Sequence, residues 1–110
     1  MQANNKIKKN DEFRQVYSKG KSMANKLLII YISENNLNDV RVGFTVSKKV
    51  GNSVVRSRVK RLMKESFRLN IEKIKKGYDI IFVARTTASD STYKEIESAM
   101  LHLLKRMNLR

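Results

Sequence analysis

A chain of 110 residues, 41% of them apolar, has material for one core and reads as a single domain, 1–110. With no cysteine it has neither a disulfide framework nor a thiolate metal site; together with a first nine residues lacking an apolar run of secretory length, this points to the cytoplasm. Twenty-four Lys and Arg against ten Asp and Glu leave a net charge of +14, which asks for a polyanionic partner, and the longest apolar stretch, residues 27–32, is far too short to span a bilayer.

In chain order, Asn10 caps a predicted helix whose first turn carries Asp11 and Glu12, acids favoured at a helix N-terminus, and Gly20 ends it. Phe13, Val16 and Tyr17 share one face of it. Residues 27–33, apolar and β-branched and closed by an Asn35-Asn36 turn, predict a strand. Val40, Val42, Phe44 and Val46 then alternate with Arg41, Gly43, Thr45 and Ser47, the period of a strand with a core face and a small, polar, wet face. These two strands read as antiparallel neighbours joined by the short turn. Gly51 supplies a tight turn and Asn52 or Ser53 a cap; Val55, Val59, Leu62, Met63 and Ser66 recur at helical spacing, which carries a helix to about Arg68. Residues 78–84 predict a further strand. Thr92-Tyr93-Lys94-Glu95 is a capping box opening a last helix, with Ile96, Met100, Leu103, Leu104 and Met107 on its buried stripe. The order helix, strand, strand, helix, strand, helix describes an α+β fold, a two-layer sandwich of one sheet with helices packed on it.

Residues 48–68 hold eight basic residues against one acid, Glu65, a net of +7 and half of the chain's excess charge. With Val55 as zero, Val59, Leu62, Met63 and Ser66 fall within about 80° of it, while Ser57, Lys60, Arg61, Lys64 and Arg68 cluster opposite. Arg56 and Arg58 flank the helix start, where free backbone N–H groups and the macrodipole attract phosphate. A solvated surface face is the plain alternative, but such faces mix signs for solubility and i,i+4 pairing. An anionic lipid surface would want a broader apolar face bearing Trp or Phe.

Phe13 and Tyr17, four residues apart, either present two rings to unstacked bases, worth roughly 1–3 kcal/mol per base, or anchor the core. Spacing alone favours the core, and Tyr31 is open in the same way. A protein-only nuclease needs a constellation of acids or a His pair; the single His102 lies off the apolar stripe of its helix and reads as solvated. Gly51 stands alone and makes no phosphate-cradling loop, and no helix face shows the Asn or Gln pattern that reads DNA bases.

Lys6-Ile7-Lys8-Lys9-Asn10-Asp11-Glu12-Phe13, Ser22-Met23-Ala24-Asn25, Arg41-Val42-Gly43-Phe44-Thr45-Val46-Ser47-Lys48-Lys49, Gly51-Asn52 and Arg56-Ser57-Arg58-Val59-Lys60-Arg61 follow one another in the chain. In that order they resemble the protein component of bacterial ribonuclease P over residues 6–104. The resemblance implies one four-stranded sheet with helices packed on it and a left-handed βαβ crossover around the basic helix, a hand that general rules disfavour. It implies a subunit that assists a catalytic ribonuclease P RNA in removing the 5′ leader of precursor tRNA, an endonuclease activity in which the protein alone is inactive. On that resemblance Phe13, Tyr17 and Tyr31, with Arg85, receive the single-stranded leader. Lys48, Lys49, Asn52, Arg56, Ser57, Arg58, Lys60, Arg61, Lys64 and Arg68 form the basic RNA-binding motif. The resemblance implies no cofactor for the protein itself and places the expected Mg²⁺ at the RNA's catalytic centre. Ser57 stands where the family usually has Asn, so the amide's paired donor and acceptor are not carried over. A basic protein of another ribonucleoprotein, such as the ribosome, shares the charge and size but has no need of Phe13, Tyr17 and Tyr31 together.

Overall fold

In the computed structural model, which describes residues 6, 7 and 10–110, the most apolar strand sits in the middle of the sheet. That strand, β4 (Tyr78–Ala84), buries Asp79, Ile80, Ile81 and Phe82 in succession. A run buried on both faces needs a neighbour on each edge and cover on each side. β2 (Leu28–Glu34) pairs with it antiparallel on one edge and β3 (Val40–Thr45) parallel on the other; β1 (Lys21–Ala24) adds to β2, for a sheet order β1-β2-β4-β3.

The two strands flanking the Asn35-Asn36 turn are therefore not neighbours, contrary to the expectation from their spacing. Their connection straddles the entry to β4: the Asn35 amide donates to the Gly77 carbonyl (3.1 Å) and the Gly77 amide to the Asp39 carbonyl (2.8 Å). Asn36, at φ 57°, gives the left-handed step that this turn requires. β1 carried no sequence signal. Lys21-Ser22-Met23-Ala24 lacks an alternating apolar face, and its strand form comes from pairing with β2.

Helices α2 (Ser53–Asn70) and α3 (Tyr93–Arg106) cover one face of the sheet. Leu28, Ile30, Ile32, Val42, Phe44, Ile80 and Phe82 meet Val59, Met63, Phe67, Ile96, Met100, Leu103 and Leu104 there. The rings of Phe44, Phe67 and Phe82 form a triangle with centroids 6.0–6.3 Å apart. Fully buried Phe67 turns the apolar stripe of α2 away from the one centred on Val55. The capping box of α3 is present as expected, Thr92 and Glu95 exchanging side-chain and backbone hydrogen bonds.

Helix α1 (Asn10–Lys19) crosses the opposite face, where Ile7, Val16 and Ile81 form a second core with Phe13, Tyr31 and Val83 against it. The outer face of β3 is consequently not wet. Gly43 is buried beneath the ring of Phe13, and Arg41 is half-buried between two carboxylates. Ile7 runs along the free edge of β3, its amide donating to the Val42 carbonyl at 3.0 Å. Lys8 and Lys9 of the N-terminal motif, and the first five residues, lie outside the described residues.

A methyl group at Gly43 would sit 2.6 Å from Cζ of Phe13. Gly43→Ala is expected to lower stability by about 1–3 kcal/mol, read from the denaturant midpoint. Adding Phe13→Leu should recover part of the loss; a double variant no more stable than Gly43→Ala would show that the clash lies elsewhere.

Candidate nucleic-acid interface

Strand register lays three rows across the α1 side of the sheet. Arg41, Asp79 and Ser33 form the first, Gly43, Ile81, Tyr31 and Ser22 the second, and Thr45, Val83, Ile29 and Ala24 the third. Helix α1 occupies the first two: Glu12 pairs with Arg41, Phe13 lies over Gly43, and Val16 joins the Ile81 cluster. The third row stays open, with Thr45, Val83 and Ile29 half-buried and Ala24 exposed. Tyr17 and Tyr31 border it. Tyr17 is 39% exposed, meets Tyr31 edge-on with centroids 4.7 Å apart, and holds its hydroxyl 3.4 Å from Thr45 Oγ1. Phe13, 6.4 Å from Tyr17, is half-buried in the second core. Of the three aromatics it is the anchor, and the two tyrosines supply accessible ring surface.

The chain gathers its basic residues at the same end of the sheet. β3 leaves the third row at Thr45 and turns through exposed Lys48 and Lys49; β4 runs parallel to β3, so exposed Arg85 emerges beside them. Arg85 Nη1 donates to the Asn25 carbonyl at 2.7 Å, and the Asn25 side chain holds the amides of Leu27 and Leu28 and donates to the Ala99 carbonyl. Exposed His102 touches this hub, Nδ1 lying 3.2 Å from Asn25 Nδ2. Gly51 lets the turn close on α2, since a Cβ there would lie 2.8 Å from Val55. Asn52 caps the helix, its Oδ1 accepting the Val55 amide at 3.0 Å.

Ser57, Lys60, Arg61, Lys64 and Arg68 project to solvent from α2, as the periodicity predicts. Arg68 is partly neutralised by Glu65, whose carboxyl it holds below the usual range through their hydrogen bond. Arg56 is half-buried, with its Nε shielded and without a hydrogen-bond partner among the described residues. Arg58 turns inward instead of outward: Nη1 and Nη2 donate to the carbonyls of Ser89 and Ser91, bracing the segment that leads into α3.

Lys6 belongs with this basic face, which its sequence position alone does not reveal. It bridges to Val42 on the edge of β3 and comes close enough to Lys64 to act on its charge. The Lys64 ammonium, although exposed, is held below the usual lysine range, first by partial loss of its hydration, then by Lys6 and Lys60. Among the described residues no group of three His, Asp or Glu side chains could hold a metal ion, and no helix is long and apolar enough to cross a membrane.

Known proteins resemble this chain in both sequence and fold. The model of the ribonuclease P family matches residues 1–108. The chain belongs to the ribonuclease P protein family. It is 72% identical to the ribonuclease P protein component of Alkaliphilus metalliredigens, over 99% of this chain and 98% of that protein, and 58% identical to one from Clostridium botulinum, over 96% of each. The RNase P protein of Staphylococcus aureus superposes with a TM-score of 0.88 at 38% identity, over 96% of each chain. That of Thermotoga maritima gives 0.85 at 28% identity, over 92% of this chain and 96% of the other. Family membership gives the chain the subunit role in tRNA 5′ maturation that its motifs imply.

A lysine whose pKa falls on folding holds its proton less tightly in the folded state, so its charge costs stability at neutral pH and the cost fades as pH rises toward the lysine range. Lys64→Met, which keeps most of the stem, should raise the Tm of the free protein by about 1–3 °C. It should also flatten the salt dependence of binding to a ribonuclease P RNA by up to about 0.9 in log–log slope. A lowered Tm would show that Lys64 stabilises the fold.

Proposed function

We propose that this protein is the RNA-binding, non-catalytic subunit of a cytoplasmic ribonuclease P in which an RNA cleaves precursor tRNA at its mature 5′ end. The observation that carries the reading is the meeting, at one end of the sheet, of the open Thr45–Val83–Ile29–Ala24 row with a basic wall. In this reading the single-stranded leader lies along that row, bases against Tyr17 and Tyr31, with Phe13 holding the helix that presents Tyr17. Stacking of that kind tolerates any base. Lys48, Lys49, Arg56, Lys60, Arg61, Lys64, Arg68 and Arg85 contact phosphates of the leader and of the catalytic RNA. Asn52 and Arg58 hold the shape of that wall, and the Ser57 hydroxyl adds one short polar contact.

The division of labour follows from electrostatics. Two polyanions repel, and a protein of net charge +14 between them screens that repulsion and lowers the Mg²⁺ the RNA requires. The metal belongs to the RNA in this scheme. Contacts to phosphate fix position without reading sequence, as a subunit serving many leaders needs.

The test mixes this protein with a bacterial ribonuclease P RNA and a precursor tRNA at low Mg²⁺. Cleavage is expected to rise well above that of RNA alone, with none from protein alone; no gain, or cleavage without RNA, would sink the proposal. Tyr17→Ala should weaken binding of long-leader substrates by about 1–3 kcal/mol and leave leaderless substrates nearly unaffected. Equal losses on both would remove the leader from this row.

A further inference from the structure

The opposite end of the sheet carries a second groove, of about 600 Å³, on the α2 and α3 side. It opens where β1 ends, between the far ends of β1 and β2 and the C-terminal turn of α3. Lys19, Lys21, Lys75 and Arg106 ring it around Tyr78, with Glu34 as its only acid. None of the four cations forms an ion pair with a described residue. Lys19 and Arg106 stand in the last turns of α1 and α3, where carbonyl ends favour a cation. Lys21, on β1, and Lys75, in the loop before β4, lie outside the helices. Lys75 is fixed there by its backbone: its amide donates to the Leu109 carbonyl at 2.7 Å, and Leu109 is itself buried behind Asn108, a residue at φ 61°.

This groove differs from the leader row in both face and end. Along β2 its lining begins at Ile32, three residues from Ile29, about 10 Å at the rise of an extended strand, and Ile32 packs on the other side of the sheet. Lys21 and Tyr78, in register with Ile32 and Glu34, therefore stand on the side of the sheet turned away from Tyr31 and the open row. We propose that the Lys19–Lys21–Lys75–Arg106 groove is a second RNA-backbone site, which grips a separate segment of the catalytic RNA while the opposite face holds leader and cleavage region. The inference rests on the RNA-binding reading above. A groove of net positive charge with an aromatic floor suits a phosphate backbone with one base against Tyr78.

Lys21→Ala/Lys75→Ala/Arg106→Ala is compared with Arg14→Ala/Lys94→Ala/Lys105→Ala, which removes the same charge elsewhere. The log–log salt slope for binding a bacterial ribonuclease P RNA should fall by about 2–3 for the groove variant and by less than about 1 for the control. Equal falls would reduce the groove to bulk charge and overturn the proposal. The chain has no cysteine of its own, so an iron chelator can be tethered at Glu34→Cys in the groove or at Ala24→Cys in the open row. Cuts in the catalytic RNA from Glu34→Cys, at positions distinct from those made from Ala24→Cys, are expected. Cuts from Ala24→Cys alone would overturn the groove and leave the leader site standing; cuts from neither would overturn the RNA reading beneath both.

Discussion

The buried carboxylate of Asp79 is the constraint around which the functional face is arranged. It lies on the central strand at 7% exposure, where an unpaired charge would be costly. Arg41, across the parallel pair, answers it with Nε at 2.8 Å and Nη2 at 2.6 Å, and Asn35 Nδ2 adds a third donor at 2.9 Å. That fork leaves Nη1 for Glu12 in the first turn of α1. The Arg41 pKa is raised accordingly, first by its hydrogen bond to Asp79. Replacing such a pair with apolar residues need not destabilise a protein, so its value here is better seen as positional. With Glu12 held over the first row, Phe13 falls on Gly43, and Tyr17, one turn on, reaches Tyr31 and Thr45.

The two sides of the sheet do different work as a result. The α2 and α3 side is filled by long aliphatic side chains and the Phe44, Phe67 and Phe82 rings, and it supplies most of the apolar burial. The α1 side carries a small core and then stops, because a ten-residue helix crossing diagonally covers two rows and leaves the third. An uncovered row of half-buried apolar residues is a cost in a free protein unless a partner uses it. Charge follows the same logic. Lys6 and Lys60 both act against the charge of Lys64, and among the described residues none of the three lysines forms an ion pair.

The main elements were legible because their signals are local. The capping box at Thr92, the Asn52 cap, the alternation from Val40 to Phe44 and the stripe from Ile96 to Leu104 depend on periodicity and backbone donors within a few residues. The charge of residues 48–68 was equally legible, and so were the motifs that carry the family. Sheet order was not, since nothing within residues 28–45 reveals that a strand from residues 78–84 will enter between their two strands. The apolar run of β4 was visible, but its central place follows from its need for cover on both faces. Phe67 was hidden among basic residues, and β1 has no pattern of its own.

The same division holds for the site. By itself the sequence determined the inventory: a single basic helix with one acid, three aromatics in two segments, an Asn at the turn, and no cysteine. The tertiary structure decided the use of each. It sent Phe13 into the second core, left Tyr17 and Tyr31 on an open row, and turned Arg58 onto the Ser89 and Ser91 carbonyls. It also brought Lys6 beside Lys64 across 58 positions of sequence and set Arg85 at the same end as Lys48. Composition and periodicity act through neighbours along the chain, whereas burial, pairing and the meeting of like charges depend on which distant segments the sheet register places side by side.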